Sequence, residues 1–212
     1  MKDNEPCPFS ERYHLKNKEK DAVNHYKDMD ITPYPWDYKD AHPEEKKSTN
    51  LGWDCFMINN YMRHELLHHL SKKDATQIMK YICRIARAIH KSPVKKTVEV
   101  YRGIHPKHIT KAVCAWKSGN IGEIHEWAFE SFTEDKAKAA EYAINKYKFC
   151  PVLLHLVLEP GDEALYINNV ESERLLPPER TYQIVSCENF TFLEKKTGDK
   201  HKGKIYTIVK LT

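Results

Sequence analysis

The sequence predicts an α+β fold in which a mostly antiparallel, two-layered or sandwich-like sheet follows a set of early helices. Apolar residues recur every three to four positions between residues 58 and 89, the period of amphipathic helices. Later segments alternate with period two, or are almost wholly apolar, as strands are. Helices therefore come first and strands dominate afterwards, which is typical of α+β domains.

The composition is that of a soluble, globular chain. It has 212 residues, of which 41% are hydrophobic and 30% charged, and its net charge of +4 permits an anionic ligand without indicating nucleic acid. No apolar run reaches membrane-spanning length, and the first residues, MKDNEPCPFSERYH, lack the apolar core of a signal peptide. We expect a cytoplasmic protein, or one delivered into a host cell by another route. The six scattered cysteines are expected to be reduced thiols.

Residues 1–49 differ from the rest of the chain. They are polar, with a proline and aromatic cluster, ITPYPWDY, a charged run, HPEEKKST, and a short helical stretch, KDAVNHYKDM. We expect residues 1–49 to form an N-terminal arm or helical cap and residues 50–212 to form the main domain.

Four helices are predicted after residue 50. The first follows a stripe of Ile58, Met62, Leu66 and Leu70. The second, over residues 73–90, has isoleucines at 78, 82, 85 and 89 and ends near His90, before a Lys-Ser-Pro break. Two shorter helices are expected in HITKAVCAWKSG and DKAKAAEYAINKYK.

The predicted strands lie between and after these helices. TVEVYRG alternates with period two, HEWAFESF follows it, and PVLLHLVL is apolar enough for a central strand. Further strands are expected in ERLL, TYQIV, NFTFLEK and GKIYTIVKL.

The stretch His64-Glu65-Leu66-Leu67-His68 matches the His-Glu-x-x-His pattern of zinc proteases. Such a site needs a third protein ligand. The extended pattern has Gly and His where this chain has Ser71 and Asp74, and the next helix, residues 73–90, contains no glutamate. Both histidines also lie about 200° round from the apolar stripe, on the solvated face of a helix. A zinc hydrolase is therefore the weakest alternative.

Three other segments carry residues suited to a binding cleft. In VEVYRG, alternation places Arg102 at the end of a core-facing row, where a guanidinium can bind a phosphate with two hydrogen bonds, and Gly103 follows it. In WAFESFT, the alternation places Trp127, Phe129, Ser131 and Thr133 on one face, with Thr133 also suited to capping the next helix. In ESERLLPP, Glu171 and Glu173 point the same way in an extended chain.

In this order the three segments resemble the Arg–Ser–Glu class of mono-ADP-ribosyltransferases. The helix Ile58-Asn59-Asn60-Tyr61-Met62-Arg63 is similar to one that precedes the arginine strand in the toxin branch of that family. The resemblance covers roughly residues 50–212. Phe132 and Thr133 stand where the family has the threonine and last serine of Ser-Thr-Ser. The resemblance implies an ADP-ribosyltransferase-like core of two β-sheets with N-terminal helices, and NAD as a substrate.

The resemblance also implies roles for the site residues. Arg102 would bind the diphosphate of NAD and the backbone of Gly103 its nicotinamide amide, with Tyr101, Phe129, Ser131 and Thr133 completing the cofactor-binding set. Glu173 would bond the ribose 2′-hydroxyl and stabilise the oxocarbenium-like cation, held in place by Ser131.

Glu171 would orient the acceptor and take its proton, and a glutamate there goes with an arginine acceptor in this family. The resemblance therefore implies transfer of ADP-ribose to an arginine of a target protein. The alternatives are an NAD glycohydrolase, a transferase acting on a nucleic-acid base, and a catalytically silent NAD-binding module.

Overall fold

The structure is a computed structural model, and it describes residues 15–27, 55–63, 70–147, 150–168, 172–195 and 197–211. The helices in these ranges are α1 (Asn17–Lys27), α2 (Cys55–Met62), α3 (Lys72–His90), α4 (Thr110–Lys117) and α5 (Lys136–Tyr147). The strands are β1 (Val98–Ile104), β2 (Glu123–Glu126), β3 (Glu130–Thr133), β4 (Val152–Leu158), β5 (Leu165–Asn168), β6 (Glu173–Leu176), β7 (Arg180–Leu193) and β8 (Lys200–Lys210).

The eight strands are hydrogen-bonded in the order β2-β7-β8-β4-β1-β3-β6-β5. Neighbours are antiparallel except for the parallel pair β4 and β8. The link between β1 and β3 consists of one residue pair, Tyr101 with Thr133, whereas β1 pairs with β4 along seven residues. The ladder thus divides into a five-stranded and a three-stranded sheet, and we call the line between β1 and β3 the seam.

Three hydrophobic clusters hold these layers together. The largest packs residues of both sheets against each other, among them Val100, Leu154 and Tyr182 of the five-stranded sheet and Phe132 and Leu176 of the three-stranded one. A second cluster packs α1, α2 and α3 against the other face of the three-stranded sheet. A third packs α5 against the outer face of β4 and β8. The predicted α+β fold with a two-sheet core and N-terminal helices is confirmed.

The helix predictions are largely matched. α3 ends at His90, and all four isoleucines of its predicted stripe are buried, because they share the face that packs on the sheet and on α1. Ser71 caps this helix by accepting a hydrogen bond from the backbone N–H of Asp74. None of the helices in the described ranges is long and apolar enough to cross a membrane.

The N-terminal segment contributes α1 to the folded body. Ala22, Val23 and Tyr26 are buried in the cluster with α3, and Glu19 accepts two hydrogen bonds from Lys91 just after α3, at 2.7 and 2.9 Å. The predicted division of the chain at residue 50 stays a prediction, because residues 28–54 lie outside the described ranges.

Two strand predictions are corrected. The segment HEWAFESF is not one strand: β2 ends at Glu126 and pairs with β7, whereas β3 begins at Glu130 and pairs with β6, so the chain crosses from one sheet to the other between them. Trp127 is 55% exposed and Phe129 is buried, so these two residues do not share a face. The segments TYQIV and NFTFLEK are one strand, β7, whose alternation is interrupted by a bulge between Ile184 and Ser186.

Candidate active site

Arg102 lies at the seam, where β1 and β3 separate. Val98 and Val100 are buried on the core-facing row of β1, as predicted, and Arg102 continues that row with its guanidinium 5.9 Å from the ring centre of Phe132. Its Nη1 donates a hydrogen bond to Glu130 and lies 3.9 Å from Oε1 of Glu126. Burial lowers the pKa of Arg102, but the two carboxylates outweigh burial and raise it, so the guanidinium stays charged.

Glu130, on β3 of the three-stranded sheet, contacts both Arg102 and Tyr182 of the five-stranded sheet. Its side chain is fully buried, and its Oε2 accepts a hydrogen bond of 2.8 Å from the hydroxyl of Tyr182 on β7. Burial and the nearby Glu126 raise the pKa of Glu130 to about 7, although Arg102 and the Tyr182 hydroxyl oppose that rise. A carboxyl group with such a pKa changes its charge near neutral pH.

Ser131, Thr133 and Glu173 lie on the same face of the three-stranded sheet. In the β3–β6 ladder Thr133 is directly opposite Glu173, and Ser131 is opposite Leu175, two residues further along. Directly opposed residues of antiparallel strands point the same way, and diagonal neighbours lie about 7–8 Å apart. The serine and the glutamate that the sequence predicted to interact are therefore diagonal neighbours on one surface.

Tyr26 of α1 connects this surface with Arg102. Its buried ring lies edge-on to Phe129, with 5.9 Å between ring centres, and its hydroxyl accepts a hydrogen bond of 3.0 Å from the side-chain amide of Asn59 in α2. Burial raises the pKa of Tyr26, the charge of Glu173 raises it further and that of Arg102 lowers it. Arg102 and Glu173 therefore both act electrostatically on one buried hydroxyl.

Gly103 is buried against α5. A Cβ atom at this position would overlap the carbonyl oxygen of Ala139 and lie 3.0 Å from Cβ of Ala143. The described residues therefore give a packing reason for this glycine, whereas the sequence suggested the approach of a ligand.

The remaining members of the predicted cofactor set have structural contacts. The Tyr101 ring stacks on His155 at 4.9 Å, and burial, together with its hydrogen bond to Glu99, raises the pKa of its hydroxyl to about 12. Thr133 accepts a hydrogen bond of 3.0 Å from the backbone N–H of Asp135. Asp135 in turn accepts hydrogen bonds from the first turn of α5, so it is Asp135 that caps this helix.

Two predicted sites lie outside the described residues. Glu171, the residue predicted to orient the acceptor, is one, and the stretch His64–His68, considered above as a zinc motif, is the other.

A cluster of potential metal-ligating side chains lies at the turn between β7 and β8. The carboxylate oxygens of Glu194 and Asp199 and a ring nitrogen of His201 lie within 4.8 Å of one another, and His201 Nε2 is 3.1 Å from Oε2 of Glu194.

Glu130, Tyr182 and Tyr26 are site residues that the sequence interpretation missed. Strand alternation contained a signal for Glu130, since it places this glutamate in the same row as Phe132, which is buried. A charged residue in a buried row requires a partner, and Arg102 is that partner. No sequence pattern indicated that Tyr26, more than 70 residues before Arg102, would reach the same place.

The family model of the ADP-ribosyltransferase exoenzymes matches residues 43–211. No curated protein matches the chain in a sequence search. Among solved structures, C2-I, the enzymatic component of the C2 toxin from Clostridium botulinum, matches with a TM-score of 0.63 at 16% identity, over 96% of this chain and 45% of that one. The chain thus spans less than half of C2-I.

Two further structures show the same likeness. Plx2a, an ADP-ribosyltransferase toxin from Paenibacillus larvae, matches with a TM-score of 0.61 at 18% identity, over 96% of this chain and 90% of that one. BECa, an ADP-ribosylating toxin of a binary enterotoxin of C. perfringens solved with NADH, matches with a TM-score of 0.59 at 16% identity, over 95% of this chain and 45% of that one. At these identities the likeness is one of fold.

Proposed function

This chain belongs to the ADP-ribosyltransferase exoenzyme family, and from that premise we propose that it transfers ADP-ribose from NAD to an arginine side chain of a target protein. Nicotinamide is the leaving group. The donor follows from the family, because ADP-ribosyltransferase toxins use NAD as their substrate. The choice of arginine as acceptor depends on Glu171.

The proposal is supported by two observations: Arg102 and Glu173 both act on the hydroxyl of Tyr26, and Ser131 is a diagonal neighbour of Glu173 on one face of the three-stranded sheet. A guanidinium at the seam suits the diphosphate, since it offers a planar set of donors to two phosphate oxygens. A carboxylate on the adjoining surface suits the ribose, whose anomeric carbon becomes cationic as the bond to nicotinamide breaks. Glu173 stabilises that cation, and Ser131 fixes the direction of its carboxylate.

Glu171 handles the acceptor. A guanidinium is protonated at neutral pH and is then a poor nucleophile. A carboxylate two residues before Glu173 orients the incoming guanidinium and takes one of its protons as the new bond forms to the anomeric carbon. Breaking the nicotinamide–ribose bond therefore needs Glu173, whereas transfer to arginine needs both glutamates.

The test measures two reactions in the same preparation. Nicotinamide release from NAD without an acceptor reports hydrolysis, and mass spectrometry of a lysate treated with enzyme and NAD locates ADP-ribose on protein side chains. We expect Glu173→Gln to abolish both reactions and Glu171→Gln to abolish arginine modification while sparing much of the hydrolysis. Glu123→Gln, an exposed change on β2, is the matched control and leaves both unchanged.

Other outcomes distinguish the alternatives. Equal loss of both reactions in Glu171→Gln contradicts the separate roles of the two glutamates. Nicotinamide release with no modified protein identifies a glycohydrolase, and ADP-ribose found on added DNA instead of protein identifies a base-modifying enzyme. NAD binding without either reaction identifies a silent binding module.

A further inference from the structure

Glu130, the partner of Arg102, has no part in the roles assigned above. Glu130 is fully buried, contacts Nη1 of Arg102 with one carboxylate oxygen, and accepts a hydrogen bond from Tyr182 with the other. The Arg102 side chain as a whole is 22% exposed. Arg102 is therefore fixed on its buried side by Glu130 of β3, which Tyr182 of β7 supports, and its side chain remains partly accessible to solvent.

Binding of a dinucleotide would leave an excess of negative charge around Arg102 and Glu130. Two carboxylates, Glu126 and Glu130, already face one guanidinium, and Glu126 is only partly exposed. The diphosphate of NAD brings about two more negative charges to the same place. Like charges at short range in a poorly solvated site favour protonation of the least solvated carboxylate. Glu130, with no exposed side-chain surface, is that group.

The other titratable groups that act on the pair come from β7, from α1 and from the turn after β1. From β7, Arg180 lowers the pKa of Glu130 and the Tyr182 hydroxyl donates to its carboxylate. Tyr26 of α1 contributes to the high pKa of Arg102. His108, after β1, has a pKa lowered by burial and by Lys107. Among these groups, a histidine has the ordinary pKa closest to neutral pH, so His108 has to be controlled for.

We propose that Glu130 is a positioning residue for Arg102: it holds the guanidinium at the seam in the free protein and takes up a proton when the diphosphate binds. The hydrogen bond from Nη1 passes from Glu130 to a phosphate oxygen, and one proton from solvent moves onto the carboxylate oxygen that Arg102 leaves. Tyr182 continues to donate to the other oxygen, so the neutral acid stays anchored. This role rests on the proposed function, since it assumes that Arg102 binds the diphosphate.

The sign of the pH dependence follows from linkage. With Arg102 withdrawn and phosphate nearby, the pKa of Glu130 in the complex lies above its value of about 7 in the free protein. Below about pH 7, Glu130 is protonated in both the free protein and the complex, so the affinity for the dinucleotide does not change with pH. Above it, binding consumes up to one proton, so the dissociation constant rises by up to about tenfold per pH unit.

Isothermal titration with NADH tests this directly. NADH has the same diphosphate, but its dihydronicotinamide is a poor leaving group, so binding is measured without turnover. Titrations between pH 6.5 and 8.5, in buffers of different ionisation enthalpy, give the proton uptake. We expect close to one proton per NADH near pH 8 in the wild type and none in Glu130→Gln, whose affinity no longer depends on pH. His108→Gln is the control and retains the uptake.

A second variant keeps the test independent of how well Glu130→Gln folds. Tyr182→Phe removes a hydrogen bond that favours the charged form of Glu130. The pH at which affinity begins to fall should therefore rise. Proton uptake that is equal in wild type and Glu130→Gln overturns the role of Glu130 alone. Unchanged NADH affinity in Arg102→Lys overturns the diphosphate assignment, and this proposal with it.

Discussion

Replacing Gly103 by alanine tests why β1 has a glycine directly after Arg102. The added methyl group would overlap the backbone carbonyl oxygen of Ala139 and lie 3.0 Å from Cβ of Ala143, both in α5. A backbone atom in a helix cannot rotate away, so the cost lies near the upper end of the 1–3 kcal/mol range for overpacking, at about 3 kcal/mol. The reduced freedom of the unfolded alanine chain offsets about 0.4–1 kcal/mol of this.

A net loss of about 2 kcal/mol corresponds to a fall in Tm of about 4–8 °C for a domain of this size. Calorimetry or circular dichroism measures it. Gly161→Ala is the comparison: its φ of +99° makes alanine strained, but nothing lies within 4 Å, so we expect a loss of about 1 kcal/mol and unchanged NADH binding. If Gly103→Ala melts like the wild type but no longer binds NADH, the packing argument is refuted, and the glycine serves the approach of the ligand.

Two further predictions concern neighbouring residues. Asp135→Ala should lower stability by about 1 kcal/mol, because its carboxylate accepts hydrogen bonds from the backbone N–H groups of Ala137 and Lys138 at 2.9 and 3.3 Å; thermal melts check this, and Asp135→Asn should retain most of the cap. Ser131→Ala should lower kcat for NAD hydrolysis about ten- to a hundredfold with little change in KM, the loss expected for one hydrogen bond to a charged group. Steady-state kinetics check it, and full activity in Ser131→Ala would contradict the proposed support of Glu173.

The fold was predicted best from the sequence where a single hydrophobic periodicity continued without interruption. The isoleucines of α3 all face the core because the stripe extends over most of a 19-residue helix. The fold was predicted worst where the chain changes sheet or bulges. Trp127 continues the apolar alternation of its neighbours, but β2 ends just before it and the chain joins the other sheet at Glu130. Because residues 127–129 belong to neither strand, the alternation does not predict which of their side chains are buried.

For the candidate site, the spacing of residues within short segments was informative, whereas contacts between residues distant in the sequence could not be predicted. Arg102, Ser131 and Glu173 were predicted as site residues because each stands in a short segment with its own pattern. Tyr26 reaches them through the packing of α1 on α3, which no spacing within residues 1–49 encodes. The burial of Glu130 depends on Tyr182 and Arg102, which lie on two other strands.

The narrow join between the sheets has a mechanical consequence. Separating β1 from β3 gives up the bonding of one residue pair, at a net cost of about 1 kcal/mol per hydrogen bond, whereas separating β1 from β4 gives up seven pairs. Across the seam the two sheets are therefore held mainly by side chains, namely the shared hydrophobic cluster and the Arg102–Glu130 pair, and only slightly by backbone hydrogen bonds. A substitution in that cluster or in the Arg102–Glu130 pair should therefore change the angle between the sheets more readily than one that removes a backbone hydrogen bond within either sheet.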